Sequence, residues 1–197
     1  MANVDRPNGL RPVRMTSGQA YHGGMTKMYA GENLFMGDPV FGATGGTASN
    51  DGAYQKVTRT TSATAGVVLG VVVGWEPDPD NLGRLFHASS TTIPVYVATD
   101  PEIVWEIQGD GAGSDAITEA DVGLNADFAI AAGSTSTGAS NIELDESTTG
   151  ATAIDSPLHI VGLSATPDND IASVNKKILV RLNMHAYGDV GGTTTGI

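Results

Sequence analysis

The sequence predicts a mainly β fold: a small β-sandwich or barrel-like body of short antiparallel strands, preceded by an extended N-terminal arm. Three observations carry this expectation. Gly, Ala, Ser and Thr fill 83 of the 197 positions. The residues that usually fill helices (Glu, Lys, Leu and Arg) are scarce, so short strands joined by small-residue loops are favoured. Gly66 to Trp75 is a continuous β-branched run bounded by turn signals, the pattern of a strand buried on both faces. Residues 178–185 alternate strictly, with Ile178, Val180, Leu182 and Met184 on one face. A slip of one residue would expose all four, so the register is well specified.

Taken in order, residues 1–28 read as an extended docking arm. Pro7 and Pro12 push their neighbours towards extended geometry, Arg6, Arg11, Arg14 and Lys27 punctuate it, and no 3.6-residue apolar period is present. A β-rich body over 29–187 follows, as one unit or two subdomains, and then a C-terminal tail over 188–197. Within the body, 33–41 reads as a short apolar strand broken by a turn at Gly37-Asp38-Pro39. Residues 43–52 read as a loop rich in turn formers, and Tyr54 to Arg59 as a strand. After the buried run, Glu76 to Asn81 is a proline-fixed loop.

Ile93–Thr99 and Ile103–Gln108 form two strands around Asp100-Pro101. In the second, Ile103, Trp105 and Ile107 face one way and Glu102, Val104 and Glu106 the other, as in a half-buried strand. Ala116–Val122 fits a single helical turn capped by Thr118, with Asp121 three residues on. Asp127–Ala132 and Leu158–Leu163 are further strands. Between them lies a low-complexity stretch, 132–156, in which Asn141–Asp145 is either a strand or a surface loop.

Charge is unevenly divided. From Leu85 to Asn175 no Lys or Arg occurs, while 14 Asp and Glu do. The first 84 residues balance seven basic against seven acidic, and Lys176, Lys177 and Arg181 sit close together near the end. The net charge of −12 argues against binding nucleic acid directly. No apolar run reaches 18 residues, so no membrane helix is expected. The N-terminus also lacks the apolar middle of a signal peptide. The absence of cysteine removes disulfides and thiolate metal sites.

Catalytic patterns are missing. His22, His87, His159 and His185 are widely separated and read as structural, and neither a nucleophile elbow nor a phosphate loop occurs. Asp78/Asp80 and Asp168/Asp170 could donate oxygens to Ca²⁺, but Asp-rich turns bond their own backbone, and solvated turns are the favoured reading. Trp75 and Trp105 are expected in the core. An exposed tryptophan beside the acidic loops would instead suggest a sugar- or partner-binding patch. Neither a cofactor nor a metal is expected, and the chain reads as non-enzymatic.

Several stretches together are similar to a known family. They are Ala2-Asn-Val-Asp-Arg-Pro-Asn-Gly-Leu-Arg-Pro-Val-Arg14, the Gly-Asp-Pro-Val segment at 37–40, Gly70 to Asp80, Asp100 to Gln108, Asp121 to Asp127, and the region of Pro167 to Asn169. The chain resembles the head decoration, or capsid cement, proteins of tailed bacteriophages. That resemblance implies a virion protein on the outer capsid surface, commonly a homotrimer, whose partner is the major capsid protein. No site residues transfer from the family.

The arm supplies the candidates instead. Arg6, Arg11 and Arg14 are expected to meet acidic coat surface, and Val4, Leu10 and Val13 to bury apolar area there. Deleting residues 2–14 is then expected to leave a folded body. A neck, tail or fibre component, or a carbohydrate-binding or hydrolytic β domain, are the alternatives.

Overall fold

The computed structural model describes residues 3–49, 52–63, 67–111, 116–150 and 156–188. Eleven strands among them form two sheets. They are β1 (Arg11–Met15), β2 (Thr26–Ala30), β3 (Pro39–Ser49), β4 (Gly52–Arg59), β5 (Gly70–Trp75), β6 (Val95–Ala98), β7 (Ile103–Gln108), β8 (Asn125–Ala129), β9 (Glu143–Asp145), β10 (Leu158–Leu163) and β11 (Lys177–Leu182). One sheet has six strands in the order β1-β7-β11-β10-β8-β9, and the other closes into a barrel in the order β2-β4-β3-β5-β6. The chain is thus mainly β, as its composition predicts. One pairing departs from the antiparallel expectation, because β2 runs parallel to β4.

The apolar residues form two cores, and β5 serves both. Its Val71 packs with Trp105, Phe128, Ile160 and Val180 in a core built from both sheets. Its Val72 points into the barrel with Met28, Val40, Val57 and Val97. This is why the β-branched run is apolar on both faces. The last strand keeps the expected register: Ile178, Val180 and Leu182 are buried, and they alternate with half-exposed Lys177, Leu179 and Arg181. Thr118 caps a single 3₁₀ turn at Glu119–Asp121 through a reciprocal capping box with Asp121.

Three expectations are corrected. First, residue 28 is not a boundary, because β1 pairs with β7 in the six-stranded sheet and β2 closes the barrel against β6. The two arginines and the proline of β1 conceal its role, since an edge strand tolerates both. Second, residues 43–49, read as loop, continue β3. Pairing with β4 runs on to Ser49↔Gly52 after a bulge between Ala43 and Gly46. Cross-strand bonding overrides the weak β-propensity of this Gly- and Ala-containing stretch. Third, β7 is buried along its whole length instead of on one face. It lies between β1 and β11, and the polar side chains on its outer face are covered by contacts described below. Asn141–Asp145 resolves into the short edge strand β9. The expected tail lies, apart from Gly188, outside the described residues.

Leu10 is only 2% exposed and belongs to the larger core, whereas Val4 is 75% exposed. Leu10→Ala is therefore expected to cost about 2–5 kcal/mol. Val4→Ala should change stability by less than about 0.5 kcal/mol. Guanidinium unfolding of the two variants measures both, and equal effects would contradict the placement of Leu10.

Candidate docking surface

The six residues expected to dock do not act alike. Leu10 is in the core. Arg11 stands opposite Glu106 in the β1–β7 register and donates to its Oε1 at 2.6 Å. Ser164 donates to the other oxygen, also at 2.6 Å. Glu106, 6% exposed, is thus a buried carboxylate held by charge and hydrogen bonds together, and Arg11 serves the fold. Val4, Arg6 and Val13 are exposed and Arg14 is half-exposed. Among the described residues neither Arg6 nor Arg14 enters an ion pair.

Residues 3–8 form a strap that joins neither sheet. Two side-chain amides hold it. Gln108 at the end of β7 accepts from Arg6 N at 3.0 Å and donates to Val4 O at 2.8 Å, which imitates a strand partner. Its Nε2 also donates to Asn175 O at 2.8 Å. Asn3, on the strap, donates to Asp170 O at 2.9 Å and Val174 O at 3.1 Å, and accepts from Asp170 N at 2.8 Å. The strap ends where Leu10 N donates to Gly37 O at 3.0 Å. Beside it runs a groove of about 950 Å³ whose walls include Arg6, Asn8, Gln108, Asn141, Asn175 and Lys177. Sequence reasoning missed Asn3 and Gln108, since isolated amides carry no pattern and their partners are distant in the chain.

Carboxylates gather at the strap from distant parts of the sequence. Glu143 on β9 has its pKa pushed up to about 7, first by burial and then by the negative charges of Asp5, Asp110 and Glu146. Its Oε1 is buried without a hydrogen-bond partner. Glu146, 1% exposed, is raised by burial and by Asp110, while the buried Lys176 opposes the shift. Lys176 Nζ donates to Ile117 O at 2.5 Å.

The other sequence candidates resolve into structural roles. Asp78 pairs with Arg84 at 2.8 Å and accepts from Asp80 N at 3.0 Å, as in an Asx turn. Trp75 is half-buried against the barrel core. The cavity beside Trp75 and Asp78 is only about 30 Å³, room for a water but not for a sugar ring. Asp168 binds Lys177, whose hydrogen bond holds the Asp168 carboxyl down at about 2. Asp170 accepts from Ala172 N at 3.1 Å. Among the described residues no three His, Asp or Glu are placed to hold a metal ion.

Trp105 is buried in the larger core. His87 bridges Glu32 O and Ile93 O, and His159 meets Asn125 Oδ1 at 2.9 Å. His22 lies on the surface, 3.9 Å from Asp100. Burial lowers His185 to about 4. No described helix is long and apolar enough to cross a membrane.

Comparison with family models, with curated proteins and with solved structures returns no match.

Glu143 and His185 give opposite pH dependences. Glu143, raised from 4.5 to about 7, contributes stability that is fully present below 4.5 and lost as pH rises through about 7. His185, lowered from 6.5 to about 4, contributes stability that is present above 6.5 and lost as pH falls through about 4. Unfolding midpoints between pH 4 and 8 should separate them. Glu143→Gln removes the loss on alkalinisation, which is about 1–2 kcal/mol for a half-exposed, solvent-screened carboxyl. His185→Gln removes the loss on acidification. Unchanged pH profiles in both variants would refute these assignments.

Proposed function

We infer that the chain is a non-enzymatic virion protein that binds the outer surface of a phage capsid. There it cements neighbouring major capsid protein subunits and so stabilises the DNA-filled head. The observation that supports this most directly is the strap. Val4 and Arg6 stand on a segment fastened to the body by side-chain amides instead of a β ladder, so they can leave it without breaking either sheet. Val13 and Arg14 offer a second apolar and basic pair on the adjoining edge strand.

The physics of such a cement is mass action. A protein that binds only the assembled lattice stabilises that lattice, and contacts to two coat subunits at once add an effective-concentration gain. A homotrimer, which the family resemblance implies, would multiply those contacts. The exposed acidic residues of 85–175, such as Glu119 and Asp168, would face solvent and help keep a densely arrayed coat soluble.

The separable element in this reading is residues 2–8, shorter than the 2–14 read from sequence. Cutting at 14 would remove Leu10 from the core and most of β1 from the sheet. Co-sedimentation with expanded heads, assembled from the coat protein of the genome that carries this chain, tests both levels. The full chain is expected to pellet with heads. A variant lacking residues 2–8 is expected to keep its β-sheet circular dichroism and stay in the supernatant. No binding by the full chain would refute the capsid reading. Full binding by the truncated chain would refute the strap's part in it and leave the capsid reading standing.

A further inference from the structure

The strap carries a negative charge into a site that is already negative. Asp5 lies on the strap between the two residues that Gln108 holds. Three further carboxylates face this region from three different elements: Asp110 just after β7, Glu143 on β9, and Glu146 in the 3₁₀ turn that follows β9. Lys176 opposes the shift at Glu146. Glu143 Oε1 is buried without a hydrogen-bond partner. A buried carboxylate without a donor is costly when charged and tolerable when protonated.

We propose that residues 3–8 are a proton-latched strap, seated while Glu143 is protonated and released when Glu143 ionises against Asp5, Asp110 and Glu146. This inference concerns the chain alone and does not rest on the capsid reading.

Release follows from what can move. Asp110, Glu143 and Glu146 are fixed by the fold: Asp110 N donates to Leu144 O at 3.0 Å, and Glu146 N donates to Asp110 Oδ1 at 3.3 Å. Asp5 sits on a segment whose neighbours Val4 and Arg6 are held by the side chain of Gln108. When the strap departs, the strongest negative neighbour of Glu143 leaves with it. The departure also costs little, because the hydrogen bonds of Gln108 and Asn3 can be replaced by water. The seated state therefore binds the proton on Glu143 more tightly than the released state does. By linkage, the strap stays seated below the transition and is released as pH rises through about 7. A rise through neutrality would thus free Val4 and Arg6 for a partner.

The chain has no cysteine, so Val4→Cys gives a single spin-label site on the strap, in a side chain that is 75% exposed. Electron paramagnetic resonance line shapes of the labelled full chain are recorded from pH 5.5 to 8.5. The label is expected to be restrained at low pH and mobile at high pH, with a midpoint near 7. Adding Glu143→Gln should abolish the transition and leave the label restrained throughout. Adding Asp5→Asn should also abolish the transition, because the strap then carries no charge that changes the affinity of Glu143 for its proton. Adding Gln108→Ala should leave the label mobile at every pH, with circular dichroism reporting that the sheets are retained. A wild-type line shape that does not change with pH would overturn the proposal. So would a transition that persists unchanged with Glu143→Gln.

Discussion

The constraint on which the rest of the structure depends is the contact between Gly9 and Gly37. Both adopt left-handed backbone, with φ of +68° and +90°, a region that only glycine enters cheaply. Their backbones meet so closely that a Cβ on Gly9 would lie 2.5 Å from Gly37 O, and one on Gly37 would collide with Asn8 O. This approach lets Leu10 N donate to Gly37 O at 3.0 Å while Gly37 N donates to Val72 O at 2.9 Å. The N-terminal chain, the turn leading into β3 and strand β5 are therefore joined at one point. Beside it Asp38 is fully buried, accepts from Phe35 N at 2.9 Å and pairs with Arg59 at 3.1 Å. Burial raises its pKa, and Arg59 and the Phe35 amide act against that rise. Losing one partner of such a pair leaves a buried charge uncompensated.

This junction divides the N-terminus into parts with different physics. From Leu10 onwards the chain is rooted, with Leu10 and Met15 in the larger core and Arg11 neutralising buried Glu106. Over the described residues before Gly9, the chain is fastened by the amide side chains of Asn3 and Gln108, whose hydrogen bonds water can replace. The uneven charge takes a new meaning from this division. Of the basic residues at the start, Arg11 belongs to the fold, while Arg6 and Arg14 remain available on the surface. Of the acidic residues in the middle, Asp110, Glu143 and Glu146 do not simply face solvent. Asp110 and Glu146 act on Glu143, and so does Asp5 on the strap.

What the sequence made legible was periodicity. The β-branched run of β5, the alternation of β11 and the Thr118 cap are local patterns, and burial follows from them directly. Trp105, Ile107 and Ile103 share a face as their spacing requires. Convergence over distance was not legible. Asp5, Asp110, Glu143 and Glu146 are far apart in the chain and individually ordinary. The roles of Asn3 and Gln108 depend on which loops the fold brings to them. β1 was hidden for a related reason: an edge strand with two arginines and a proline looks like a linker until its partner β7 is known. The continuation of β3 to Ser49 likewise depends on pairing with β4 and not on its own residues.

The division at Gly9 can be measured directly by amide hydrogen exchange of the intact protein at pH 6, where Glu143 is largely protonated. The account predicts that the amide of Leu10, bound to Gly37 O, exchanges only through global unfolding. The amide of Arg6, bound to the Gln108 side chain, should exchange through local opening, at a rate faster by orders of magnitude and insensitive to low denaturant. Equally fast exchange at both sites would mean that the N-terminus is a free arm well into β1. Equally slow exchange would mean that no separable strap exists. Either result would contradict the account.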